Sequence, residues 1–71
     1  MPPAVGDVVA LEVLGMGRVD ATVEGVTELV QEGVRGLAWR VAFSLPDGTR
    51  AEGIQRGNAR IAFLDPRHRM A

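Results

Sequence analysis

From Leu37 to Leu45 every second residue is large and apolar (Leu37, Trp39, Val41, Phe43, Leu45), with Ala38, Arg40, Ala42 and Ser44 between them. A two-residue period of this kind belongs to a strand with one face in a core. Pro46-Asp47-Gly48 follows. Proline presets the first corner of a type I turn, aspartate bonds neighbouring backbone, and glycine supplies the left-handed conformation without steric cost. A three-residue loop ending in glycine closes a hairpin, so the stretch Leu37 to Ile54 predicts paired strands with Leu45 opposite Thr49, Phe43 opposite Ala51 and Val41 opposite Gly53. Large residues then meet small ones, which is how a curved barrel wall fills.

At 71 residues the chain makes one domain, and a domain of this size buries only about 60% of the surface its unfolded chain exposes. Stability is expected to be thin. There is no cysteine, which excludes disulfides and thiolate metal ligands and favours a reducing, cytoplasmic setting. Met1-Pro2-Pro3-Ala4-Val5 lacks the basic run and apolar core of a secretion signal. No stretch reaches the roughly 20 apolar residues of a membrane span, so no membrane partner is expected. With 46% hydrophobic and 24% charged residues, disorder is expected only at the ends.

Charge is unevenly placed along the chain. Residues 1 to 34 hold Asp7, Glu12, Asp20, Glu24, Glu28 and Glu32 against Arg18 alone, whereas residues 35 to 71 hold seven arginines against Asp47, Glu52 and Asp65. The two parts therefore carry −5 and +4, and every positive side chain is arginine. Arginine's planar fork suits carboxylates at pairs and interfaces.

Elsewhere the pattern is also that of strands. Gly6-Asp7 opens a first strand, Val8 to Leu14, with Val9, Leu11 and Val13 on one face; Gly15-Met16-Gly17 breaks it. A second strand runs from Arg18 to about Leu29, with Val19, Ala21 and Val23 inward, and Gly25 interrupts the alternation as a bulge does. Gln31 to Gly36 reads as a polar loop, Gln55 to Asn58 as one short helical turn, and Ala59 to Leu64 as a last strand with Ile61 and Phe63 inward. Asp65-Pro66 stops it, leaving Arg67 to Ala71 to fray. The expected organisation is an N-terminal arm (1–5), an all-β barrel of five strands (6–65) and a flexible C-terminal tail (66–71).

Five strands in this order, with a glycine-rich first connection, a tight distal hairpin and a single turn before the last strand, resemble the SH3-like small β-barrel. Gly6-Asp7-Val8-Val9 is similar to the opening of Tudor-like and KOW-like members, and Gly53-Ile54 before Gln55-Arg56-Gly57-Asn58 resembles their junction into the fifth strand. The resemblance implies a fold and a choice of binding roles, and carries no activity by itself. A proline-peptide groove or methyl-lysine cage needs several aromatic faces, whereas this chain has no tyrosine and its Trp39, Phe43 and Phe63 alternate into the expected core. One enzyme lineage, the plasmid-encoded trimethoprim-resistant dihydrofolate reductase, lines its pore with a Val-Gln-Ile-Tyr segment. The corresponding Ala51-Glu52-Gly53-Ile54-Gln55 lacks the tyrosine.

No catalytic or metal constellation is legible. His68 is the only histidine and sits in the basic tail, Ser44 is the only serine, and neither has a partner nearby in sequence. No catalytic residue, metal ligand or cofactor is expected, and the chain is not expected to be an enzyme. The first reading is a non-catalytic protein-interaction or assembly module, by self-association or docking to a larger protein. Its surface would be the outward face carrying Ala38, Arg40, Ala42, Ala62 and Leu64, where the alanines admit close approach. The second reading is a nucleic-acid-binding barrel holding phosphates with Arg40, Arg50, Arg56 and Arg60.

Overall fold

The structure, a computed structural model covering residues 1–71, contains six strands and no helix: β1 (Val8–Val13), β2 (Gly17–Gln31), β3 (Val34–Ser44), β4 (Arg50–Arg56), β5 (Ala62–Phe63) and β6 (His68–Met70). They form one antiparallel sheet in the order β5-β4-β3-β2-β1-β6. The sheet curls until β5 and β6 touch without a ladder between them, so it is a barrel nearly closed.

The β3–β4 hairpin has the register that its turn dictates. Phe43 faces Ala51 and Val41 faces Gly53, while Gly48 donates to the Leu45 carbonyl at 3.0 Å and Leu45 donates to Thr49 at 2.8 Å. Asp47 holds the turn by accepting from the Thr49 hydroxyl at 2.6 Å and its amide at 3.0 Å. The interruption at Gly25 is a bulge: the β2–β3 register shifts between Val23 and Gly25, leaving Glu24 unopposed. Because of that extra residue, Val23 and Val26 both face inward.

The core is built from the inward positions of the sheet: Leu11 and Val13, Ala21 and Val23, Val41, Phe43 and Leu45, Ala51, and Ile61. Phe43, Leu11, Val23 and Val41 are the largest fully enclosed side chains, each contributing roughly 1.5–3 kcal/mol through burial. Val9, Val19, Val26, Trp39, Phe63 and Met70 pack half-buried around them. Phe63 lies 5.6 Å from Phe43, ring to ring, in a tilted arrangement.

Several expectations need correction. Residues 67–71 do not fray: β6 pairs with β1, opposing Met70 to Leu11 and His68 to Val13, and the pairing continues through Leu14 to Arg67 and Ala71 to Ala10 hydrogen bonds. The tail is therefore a sixth strand that a five-strand plan omits. Gln55 and Arg56 belong to β4, and the residues after them make a turn, not a helix. The last inward strand shrinks to Ala62–Phe63, though Ile61 is buried as its alternation implied.

The largest departure lies between β2 and β3. Gln31 to Gly36 is not a loop but the end of a long hairpin, closed by a two-residue turn at Glu32-Gly33. Both turn residues have positive φ, 52° and 76°, the signature of the type I′ turn whose twist matches paired strands. The hairpin outruns its neighbours. Leu37, expected inward, is 57% exposed because β4 reaches only as far as Ala38 in the ladder.

Candidate functional site

The outward face of β3, β4 and β5 is ordered in rows. Arg40, Ile54 and Ala62 are aligned across the three strands, and Ala42 opposes Glu52, whose carbonyl accepts from Leu64 at 2.9 Å. Four residues of the expected interface, Arg40, Ala42, Ala62 and Leu64, are thereby brought into two adjacent rows. Ala38 lies one row further on, opposite Arg56 and Leu29, and is only 3% exposed. An alanine flanked by two longer side chains on its own face has no surface to offer a partner.

Half of the acids in the first part of the chain pair with arginines of the second. Glu24 pairs with Arg50 at 3.4 Å, Glu28 with Arg35 at 3.5 Å and Glu12 with Arg69 at 3.0 Å. Each joins an acid of the first part to an arginine of the second. Arg40 lies 3.7 Å from Glu52, and Arg60 donates to the Ala71 carbonyl at 2.9 Å. Of the four arginines that would hold phosphates, Arg56 alone has a side chain with neither an ion pair nor a hydrogen bond. Such exposed pairs contribute little stability, yet they balance the field that would otherwise draw a polyanion.

The corner between β5 and β6 carries the tightest ion pair. Asp65 accepts from Arg67 through two nitrogens of its guanidinium, the shortest at 2.7 Å, and from the Arg67 amide at 2.9 Å. Those bonds hold the Asp65 carboxyl well below the usual range and raise the Arg67 guanidinium. Asp47 is lowered likewise by its bonds from Thr49. Both are turn geometry expressed as charge.

Two of the three hollows that flank the barrel adjoin a buried polar atom without a partner. A cleft of about 370 Å³ lies between the Leu14–Met16 turn, the Asp47–Arg50 hairpin and the Asp65–His68 corner. Its Asp47, Thr49, Asp65 and Arg67 are already bonded to one another in pairs. His68 stands edge-on to Phe63 at 6.2 Å, and its Nδ1 is buried with no partner. The other hollow, about 340 Å³, runs beneath Met1, Pro2 and Pro3 against Val9, Ile61 and Met70. The arm is pinned there by the Met1 amino group donating to Asn58 Oδ1 at 3.1 Å, and the buried Gln55 Oε1 has no donor. No three histidine, aspartate or glutamate side chains gather where a metal ion would sit.

The surface that sequence reasoning missed is the overhanging end of the β2–β3 hairpin. Val30, Val34 and Leu37 are each about half exposed there, within a few residues of one another on paired strands. Isolated exposed apolar side chains are ordinary, but three gathered on a projection are not. Their signal in the sequence is Val34 inside the stretch Gln31 to Gly36 read as a polar loop, with Val30 and Leu37 at its two ends. No family model, curated protein or solved structure matches the chain.

Proposed function

We propose that this chain is a non-catalytic protein-interaction or assembly module built on the SH3-like small-barrel plan, with β6 added along β1. The single observation that supports it is the overhanging hairpin, which holds Val30, Val34 and Leu37 away from the barrel core. Exposed apolar side chains gathered on one projection mark contact surfaces. The rows of Arg40, Ala42, Ala62 and Leu64 provide a second, flatter face.

The alternative is the nucleic-acid-binding barrel. It would use Arg40, Arg50, Arg56 and Arg60, of which Arg40 and Arg50 are engaged by Glu52 and Glu24. A phosphate would have to displace those carboxylates. The balance of charge therefore favours the protein-interaction reading.

Leu37→Glu is the test, because Leu37 lies outside the core cluster and its replacement leaves the barrel folded. Self-association or capture of a defined partner by the native chain, abolished by Leu37→Glu, is the expected result. Association unchanged by the substitution, or a monomer that captures nothing from its host, counts against it. Low-salt binding to DNA or RNA that weakens with added salt would transfer support to the alternative.

A further inference from the structure

We infer that Gly25 to Leu29 of β2 is a pairing edge for the same strand of a second copy of this chain, so that two hairpins join into one continuous antiparallel ribbon. This rests on the protein-interaction reading above and names its partner.

Backbone pairing defines the edge. β1 accompanies β2 only as far as Thr22, and Asp7 and Gly6 extend that contact by one residue, to Val23. From Gly25 onward the only backbone partner of β2 is β3. Along an antiparallel strand the N–H and C=O groups of alternate residues point to opposite sides, so every second residue of this segment presents both groups to solvent. The five residues Gly25 to Leu29, at about 3.3 Å each, make an edge of roughly 17 Å.

Proteins that keep such an edge single blunt it with proline, lysine, a bulge or shortness. Here the segment Gly25-Val26-Thr27-Glu28-Leu29 has neither proline nor lysine, its one charge, Glu28, is paired with Arg35, and the two register shifts of the β2–β3 ladder lie on either side of it, between Val23 and Gly25 and between Leu29 and Gln31. Val26 and Thr27 are β-branched, the type most at home in strands. A two-stranded ribbon is marginal by itself, whereas a third strand makes it secure.

Charge and symmetry select a second copy. The acids that would favour a basic partner strand, Glu24 and Glu28, are already paired with Arg50 and Arg35 of their own chain. A two-fold axis through Thr27 and normal to the ribbon opposes Thr27 to its copy, Val26 to Glu28 and Gly25 to Leu29. Residues of one face then meet residues of the same face, with Val26 beside the Arg35-paired Glu28, and no like charges face each other. The contact is isologous, satisfying both edges at once.

Sedimentation equilibrium across the micromolar range, with amide exchange followed by NMR, tests this on the full chain. The native protein is expected to dimerise, and alternate amides of Gly25 to Leu29 to slow as concentration rises. Thr27 is exposed, so Thr27→Lys and Thr27→Glu leave the barrel intact. Each alone should dissociate about tenfold or more readily, and an equimolar mixture should recover the dimer through opposite charges at the axis. A native protein that stays monomeric overturns the inference, as does a mixture that fails to recover association. A dimer whose Gly25 to Leu29 amides exchange as fast as in the monomer overturns it too, while leaving the protein-interaction reading to stand on another surface.

Discussion

Gly53 and Ile61 are packed so closely that a β-carbon on Gly53 would lie 2.5 Å from Cγ2 of Ile61 and 2.9 Å from the Ala62 carbonyl oxygen. The absence of a side chain at Gly53 is what lets the β5 segment close over β4. Gly53→Ala is expected to destabilise the fold by about 1–3 kcal/mol, the cost of overpacking, because the carbonyl can move only with its strand. Urea unfolding monitored by Trp39 fluorescence measures it, and an unchanged midpoint would contradict the packing described.

Phe43 is fully buried and contacts Phe63. Phe43→Ala should cost about 3–5 kcal/mol, while a single core in a domain this small supplies a net of only about 3–5 kcal/mol. The variant should therefore be largely unfolded at room temperature. Circular dichroism provides the check.

Removing residues 67–71 deletes β6 and its pairing with β1, together with Met70, which packs against the core. A loss of about 2 kcal/mol is expected, the low end for truncating a core methionine, since Met70 is only half buried. Thermal unfolding of the shortened chain tests whether the tail is part of the cooperative unit.

Asp65 is held low by Arg67, and Asp47 by Thr49. A carboxylate whose pKa is depressed in the folded state stabilises that state fully above its unfolded value, near 3.9, and loses the contribution as pH falls through the folded value. Stability should thus decline below about pH 4. Asp65→Asn should flatten that decline, leaving the part due to Asp47. Guanidinium midpoints for both proteins between neutral and acid pH would show it, and parallel curves would exclude the Asp65–Arg67 bond as a cause.

Glu32 occupies a positive-φ position in the hairpin turn, where an ordinary L-residue costs roughly 1–2 kcal/mol and asparagine is favoured. Glu32→Asn should slow amide exchange at Gly33 and Val34 by several-fold. Global stability should change less, since the overhang contributes nothing to the core. Exchange left as fast as in the native chain would rule out strain at the turn.

How much of this was legible depended on whether the cause was local. The β3–β4 register could be read because Pro46-Asp47-Gly48 sets it within three residues, and the Gly25 bulge because a break in period is visible in any short window. Leu11, Val23, Val41 and Phe43 followed from alternation alone. The Glu32-Gly33 turn was obscured by a glutamate where asparagine or glycine would have announced it.

What the sequence by itself determined is therefore strand character, one turn and the inward set, since these arise from neighbours along the chain. Tertiary structure decided the rest. Arg67 to Ala71 has no period of its own and becomes β6 only because β1 offers an unpaired edge. Ala38 disappears and Leu37 emerges because their surroundings depend on where β4 stops. The opposite charges of the two parts, which in sequence suggest an external partner, meet across strands inside one molecule. Pairings between distant residues leave no local mark, so only the folded sheet shows which surface remains free.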